Sequence, residues 1–222
     1  MENLTLVIPA KNEKESLPTI IEELKKYKLK IIIVLEKTDT ETINAIKNYN
    51  CKILYQNNKG YGDALIQGIN SVTTKYFSIF NADGSFNPSE LENMYKTIQK
   101  DEIKFIFASR YEKDCSSDDD TFVTYFGNFV FTKLGRIFFG LKITDILYTF
   151  VMGSTEVFKS LNIQNKDFTF CVELPIKANK QKILISTSKS NERARIGGKK
   201  KVNALKDGFL ILISMLKLFL FK

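Results

Sequence analysis

YFSIFNADGSFNP, residues 76–88, is the stretch on which the reading of this chain turns. It begins as an apolar run of strand length and stops in Asn81-Ala82-Asp83-Gly84, where an amide and a carboxylate leave the strand beside a glycine. In an open α/β sheet, ligands bind in the crevice outside the carboxyl ends of the strands. A carboxylate two residues from a neutral oxygen there suits a hard divalent cation carrying substrate phosphates. Asn87-Pro88-Ser89-Glu90 then starts a helix: asparagine can cap it, proline suits its first position, and Glu90 stands where a capping box wants an acid. The same residues also make an ordinary strand-to-helix turn, so the rest of the chain has to decide.

Working outward, the pattern is one of alternation. Apolar runs at residues 4–9, 31–35, 52–55, 76–80 and 105–108 read as strands, and helical spacing over residues 16–27, 40–48, 62–70 and 88–99 separates them. Continuous apolar strands between amphipathic helices predict a mostly parallel sheet covered on both faces, with right-handed crossovers. Beyond Ser109-Arg110-Tyr111 the pattern changes. CSSDDD, residues 115–120, reads as a solvated loop, and helices are predicted at 122–141, 155–161 and 170–178. Gly60-x-Gly62 follows a strand but has Leu65 at the third glycine position of a dinucleotide fingerprint. What survives of that motif is a helix start at Gly62 whose backbone could approach a phosphate.

Composition sets the bounds. The chain has 222 residues, 44% hydrophobic and 26% charged, which fits a folded globular domain. Cys51, Cys115 and Cys171 are odd in number and widely spaced, pointing to reduced thiols in a cytoplasmic setting, and the N-terminus lacks a signal-peptide pattern. Histidine is absent, which removes Ser-His-Asp and Cys-His nucleophiles, His-ligated zinc and an imidazole base. Any acid–base work falls to carboxylates.

The formal charge of +8 is concentrated at one end: residues 193–222 hold eight basic residues and one acid, Asp207, for +7 of the total. No basic face spreads over the domain, which argues against nucleic acid and for a local anionic partner. The last stretch, KDGFLILISMLKLFLFK, has an apolar run at residues 208–221. As a helix it would be about 21 Å long, short of a hydrocarbon core of about 30 Å. Asp207, Ser214 and Lys217 share one narrow stripe, and Lys199-Lys200-Lys201 lies just before the run. This predicts a helix lying in a membrane interface, the rival being a helix docked on the domain. Two regions follow: a domain over residues 1–203 and an apolar helix over 204–222.

With these motifs in view, the chain resembles the inverting nucleotide-sugar glycosyltransferases of the family that includes dolichyl-phosphate mannosyltransferase and bacterial polyprenyl-phosphate hexose transferases. LVIPAKNE resembles that family's opening motif, NKGYGDALIQGI its Gly-x-Gly-x-Ala segment, FNADGSFNP its Asp-x-Asp-Gly and FASRY its Gly-Ser-Arg. ITDILYTF, FTFCVELPIKA and NERARIGGKKK resemble its late Asp, Glu and Arg blocks. The resemblance implies a GT-A-like, Rossmann-like α/β domain holding a UDP- or GDP-sugar, with Mg²⁺ or Mn²⁺ on the diphosphate. By position, Pro9, Ala10, Glu13, Glu36 and Gly62 would line the nucleotide pocket. Asn81 and Asp83 would hold the metal, and Arg110 would face phosphate. The chain departs from the family's pattern at Leu35-Glu36-Lys37-Thr38, where Asp-Asp-Gly-Ser is usual, and at Asn81, a neutral ligand in place of an acid.

The resulting expectation is a metal-dependent transferase moving a hexose to a polyprenyl phosphate, peripheral on the inner face of the membrane. A phosphate acceptor is already anionic and needs no base. Transfer to a hydroxyl of a glycan or lipid-linked saccharide is the rival, with Glu173 as base. A non-catalytic nucleotide-sugar-binding paralogue is the third reading.

Overall fold

β1 (Leu4–Pro9), β2 (Lys30–Leu35) and β4 (Tyr76–Ile79) are buried on both faces, which is why they read as unbroken apolar runs. Along β1 the side chains alternate: Leu4, Leu6 and Ile8 enter one core and Val7 the other. A computed structural model describes residues 1–100, 102–197 and 203–220. Within it, β3 (Lys52–Tyr55), β5 (Phe105–Ser109), β6 (Val151–Ser154) and β7 (Ile185–Lys189) complete a seven-stranded sheet in the order β3-β2-β1-β4-β6-β5-β7. All pairings are parallel except those of β6, which runs antiparallel between β4 and β5.

One face of the sheet is covered by α1 (Leu17–Leu24) and α4 (Glu90–Ile98). The other is covered by α3 (Tyr61–Asn70), α6 (Thr155–Ser160) and α7 (Phe170–Lys180). A short α2 (Thr40–Ile46) follows β2, and α5 (Phe122–Phe139) and α8 (Ala204–Leu220) form a further pair beside α7. The predicted parallel α/β architecture is therefore present.

Two strands escaped the sequence reading. β6 is only four residues long and contains Gly153, where a Cβ would come within 2.5 Å of the Phe105 ring. β7 is a polar edge strand, ISTSK, lacking the apolar run that marked the others. Glu90 also differs from expectation. Its carboxylate accepts from Ser190 Oγ at 2.6 Å and the Asn191 backbone N–H at 2.7 Å, so it holds a distant turn and caps nothing. Asn87 instead accepts from the Ser89 N–H and hydroxyl.

α8 lies within the region read as a final apolar helix, 204–222, and one edge of it packs on the domain. Ser214, on the expected polar stripe, is buried and accepts from Asn165 Nδ2 at 2.8 Å, and Ile211 and Met215 are buried beside it. Ser214, Ile211 and Met215 thus dock the helix, while Lys217 of the same stripe is exposed together with Phe209, Leu212, Leu216, Phe219 and Leu220. Lys199-Lys200-Lys201 lies outside the described residues. Among the described residues, no helix is long and apolar enough to cross a membrane.

Candidate functional site

The carboxyl ends of β1, β2, β4 and β5 open into one cleft of about 620 Å³. Pro9, Ala10, Glu13, Glu36, Asn81 and Asp83 all line it. The fold brings them together because parallel strands place every carboxyl end on the same side of the sheet. Glu13 is buried and accepts from the Ser16 hydroxyl at 2.7 Å, and its backbone N–H donates to Thr42 Oγ1. Glu36 pairs with Lys11 at 3.0 Å nearer the mouth.

Asp83 uses one oxygen to close its own turn, accepting from the Ser85 N–H at 3.0 Å and the Ser85 hydroxyl at 2.8 Å. Its other oxygen lies 3.6 Å from a guanidinium nitrogen of Arg195. Arg195 is itself held by Asp119 through bonds of 2.9 and 2.7 Å. The segment carrying Arg195 is tied down on both sides, by Arg193 N–H to Ser85 C=O and Ile196 N–H to Asp83 C=O, each 2.8 Å. Asn81 sits opposite, its Oδ1 3.4 Å from the Tyr61 hydroxyl. Burial pushes the Tyr61 phenol well above the usual range, so it stays protonated as a donor.

Arg110 lines the cleft, yet its donors are committed elsewhere. Nε and Nη2 grip Asp145 at 2.8 and 3.0 Å, and Nη1 donates to Glu192 at 3.0 Å. The Tyr148 ring lies 4.4 Å from the guanidinium carbon. Asp145 also accepts from Asn128 Nδ2 at 2.7 Å, which ties α5 to the loop before β6. Arg110, expected to face phosphate, thus lines the cleft with its donors taken up by two carboxylates.

Glu173 also differs. It is buried on α7, accepts from the backbone N–H groups of Gln164 and Asn165 at 2.7 to 3.0 Å, pairs with Lys177 at 2.7 Å, and does not line the cleft. A base must reach the proton it removes, and this carboxylate is spent on a loop. Gly62 is likewise not at the cleft; a Cβ there would fall 2.2 Å from the Asn165 carbonyl oxygen and 2.7 Å from that of Asp167. The close backbone approach it permits is to the chain itself, and the Asp63 N–H donates to the Lys166 carbonyl instead of to an anion.

The acidic loop expected to be solvated is part of the site. Asp119 and Asp120 both line the cleft; Asp120 accepts from the Tyr111 hydroxyl and caps the start of α5 through Thr121 and Thr124. Asp167, Glu192 and Asp207 add further carboxylates, while the cations among the described lining residues are Lys11, Arg110 and Arg195. An acid-rich cleft repels a bare diphosphate and attracts a cation.

Among the described residues no three ligating side chains converge on one point. Asp83 and Asn81 offer one carboxylate and one amide oxygen, which fits a Mg²⁺-like ion that takes the rest of its shell from phosphates and water.

The lining of the cleft is also partly apolar. Val123, Phe126, Gly127 and Phe131 of α5 line it together with Leu205, Gly208 and Ile211 of α8. Outside it, Phe122, Tyr125, Phe129, Ile137 and Phe138 of α5 are exposed beside the exposed face of α8. The two helices run alongside each other: Phe131 neighbours Gly208, and Phe138 and Phe139 pack on Phe219 with ring centroids 5.6 and 6.0 Å apart.

Comparison with known proteins agrees with this architecture. Residues 5–161 match the profile of the family described as glycosyl transferase family 2. An uncharacterized glycosyltransferase of Mycobacterium tuberculosis strain H37Rv is 26% identical over 97 residues, 44% of either chain, so the match spans less than half of that relative. An uncharacterized protein of Methanocaldococcus jannaschii is 25% identical over 149 residues, covering 65% of this chain and 61% of its own. Among solved structures, M. tuberculosis glucosyl-3-phosphoglycerate synthase with Mn²⁺, UDP and glucosyl-3-phosphoglycerate superposes with a TM-score of 0.78 at 14% identity, over 97% of this chain and 79% of that one. Mannosyl-3-phosphoglycerate synthase from Rubrobacter xylanophilus gives 0.76 at 14% identity, over 96% and 72%. At such identities the likeness is one of fold.

Proposed function

The chain belongs to glycosyl transferase family 2, and from that premise we propose that it moves a hexose from a UDP- or GDP-sugar to a polyprenyl phosphate at the cytoplasmic surface of a membrane. The observation that carries this reading is the mixed lining of the cleft. Acids at the strand ends share it with apolar residues of α5 and α8, two helices that also carry exposed apolar faces.

The donor nucleotide lies along Pro9, Ala10, Glu13 and Glu36, with its diphosphate toward Asn81 and Asp83. Asp83 and Asn81 would hold Mg²⁺ or Mn²⁺, which when bound would neutralise the charge that gathers on the departing diphosphate. Fold neighbours solved with Mn²⁺ and UDP support this assignment. Arg195 is preferred to Arg110 as the cation for the acceptor because, although Asp119 holds two of its nitrogens, the third makes only a 3.6 Å contact to Asp83, whereas all three side-chain nitrogens of Arg110 are bonded at 3.0 Å or less. That third nitrogen can donate a charge-assisted hydrogen bond to the acceptor phosphate. An oxygen of that phosphate attacks the anomeric carbon, the bond from that carbon to the diphosphate breaks with inversion, and the nucleoside diphosphate leaves. The nucleophile is already ionised, so the inward-turned Glu173 is not missed.

The exposed faces of α5 and α8 would bring the protein to the membrane where such a lipid resides. The fold neighbours named above are synthases of glycosylated 3-phosphoglycerates, and a small phosphorylated acid is the competing acceptor. Against it stands the wall: a small polyanion would face Asp119, Asp120, Asp167 and Asp207 with little apolar surface of its own to bury.

The deciding experiment measures labelled-sugar transfer to undecaprenyl phosphate, undecaprenol and 3-phosphoglycerate. Transfer to the lipid phosphate alone is expected. Transfer only to 3-phosphoglycerate or only to the alcohol would replace the acceptor, and no donor hydrolysis with Mn²⁺ and any sugar nucleotide would favour a non-catalytic binder.

A further inference from the structure

Three glycines of the α5–α8 pair differ in what explains them. Gly135 has a packing reason, since a Cβ there would meet Ile146 and Leu141 at 3.0 Å. Gly127 has none: nothing lies within 4 Å of where its Cβ would be. Gly208 is nearly as open, the nearest atoms being those of the Phe131 ring at 3.9 Å. Neither residue has the left-handed backbone that calls for glycine. Both lie inside helices, where glycine is the poorest residue after proline. Local structure and packing would accept any good helix former at these positions, and both residues line the same cleft.

Their positions are related. Phe131 is one turn beyond Gly127 on α5 and is also the neighbour of Gly208 on α8. The two missing side chains therefore widen the cleft on both sides of Phe131, between its two helical walls. Val123, Leu205 and Ile211 border the space. Leading away from it, the exposed faces of both helices continue the apolar surface.

We propose that the space left by Gly127 and Gly208 is the berth for the first isoprenoid units of the acceptor. Their methyl branches need more width than a straight acyl chain, and the remainder of the lipid leaves between α5 and α8 along their exposed faces. The berth rests on the acceptor reading given above. It goes further in assigning Gly127 and Gly208 as the residues that admit the chain and that discriminate branched from straight lipids.

The test uses the full-length protein, with Gly127→Leu and Gly208→Leu as blocking variants and Gly127→Ala as a mild control. Each is assayed for the acceptor KM with undecaprenyl phosphate, for donor hydrolysis in water, and for the rise in melting temperature that undecaprenyl phosphate produces. The expected result is an acceptor KM raised roughly tenfold or more in both leucine variants, with loss of the lipid-induced thermal shift. Donor hydrolysis and the melting temperature without lipid should hold, because a side chain at Gly127 faces open space, one at Gly208 starts in ordinary contact with the Phe131 ring at 3.9 Å, and both substitutions favour the helix. An unchanged KM in both leucine variants would overturn the berth while leaving the acceptor reading intact. A fall in donor hydrolysis parallel to the fall in transfer would also overturn it, by showing that the glycines serve the donor site or the fold. A wild-type protein that hydrolyses donor but never uses undecaprenyl phosphate would overturn the acceptor reading, and the berth with it.

Discussion

Arg195 grips Asp119 with bonds of 2.9 and 2.7 Å while its remaining terminal nitrogen stands 3.6 Å from the carboxylate of Asp83. One cation is thus shared by two acids, and Asp83 alone of the pair belongs to the motif proposed to hold metal. Asp83→Ala should abolish transfer with little change in melting temperature, since the side chain's bonds are confined to its own turn and to Arg195. Retention of the wild-type rate at saturating donor would remove Asp83 from the metal site. Arg195→Ala should have opposite effects on its two neighbours: tighter Mn²⁺ binding by calorimetry, because a like charge has gone, and weaker use of the lipid phosphate.

Arg110→Lys should act on the fold and not on one substrate. Lysine keeps the charge but cannot reproduce the fork on Asp145 together with the bond to Glu192. A loss of about 2 kcal/mol in denaturant unfolding is expected for the broken charged hydrogen bonds. Donor and acceptor KM should shift together; a change confined to the acceptor would restore Arg110 as a phosphate ligand.

Glu173 separates a base from a brace. Glu173→Gln should lower kcat by far less than the roughly 10²- to 10⁴-fold typical of losing a general base. Glu173→Ala should instead cost about 1–3 kcal/mol of stability, because the N–H groups of Gln164 and Asn165 lose their acceptor. A kcat collapse in the glutamine variant with unchanged stability would contradict this.

Removing α8 should shift the protein from pelleted liposomes to the supernatant. Binding of the full-length protein to anionic vesicles should weaken with salt insofar as lysines contribute, and persist insofar as exposed Phe209, Leu216 and Phe219 insert. A full-length protein that ignores liposomes at low salt would exclude the membrane role of both helices.

Glu90 gives a pH signature. Burial raises its pKa above the ordinary carboxylate value despite the bonds from Ser190 and Asn191, so the folded state holds this proton more tightly than the unfolded chain does. The resulting stabilisation is complete below the unfolded pKa, about 4.3 for a free glutamate, and is lost as pH rises through the folded value. The stability of Glu90→Gln relative to wild type should therefore climb between acid and neutral pH, as read from urea midpoints. A flat difference would show that Glu90 titrates normally.

The legible parts of this protein were those written in local pattern. Double-sided burial wrote apolar runs for β1, β2, β4 and β5, and strand ends in a parallel sheet share one edge, so Asn81 and Asp83 could be placed at a ligand crevice from pattern, while Pro9 and Glu13 were placed there by the family resemblance. β6 and β7 left no such mark, one because it is short and glycine-bearing, the other because an edge strand tolerates Ser and Thr.

What local pattern does not carry is the partner of a charged side chain. Arg110 follows a strand and reads as a phosphate ligand, but 35 positions separate it from Asp145 and 82 from Glu192, and those two acids consume it. Glu173 lies on a helix of a familiar block, and only the loop folded back over it shows that its oxygens are taken. The stripe of Asp207, Ser214 and Lys217 was visible at helical spacing, yet that Ser214 turned to the domain while Lys217 stayed exposed depended on Asn165 arriving beside Ser214. The sequence by itself determined the α/β class, the acids at the strand ends, the absence of any imidazole chemistry and the apolar final helix. Tertiary structure alone decided which charges are satisfied within the protein and which remain for a ligand. Ion pairs and hydrogen bonds are satisfied by whatever side chain the fold brings within about 3 Å, however far away it lies along the chain.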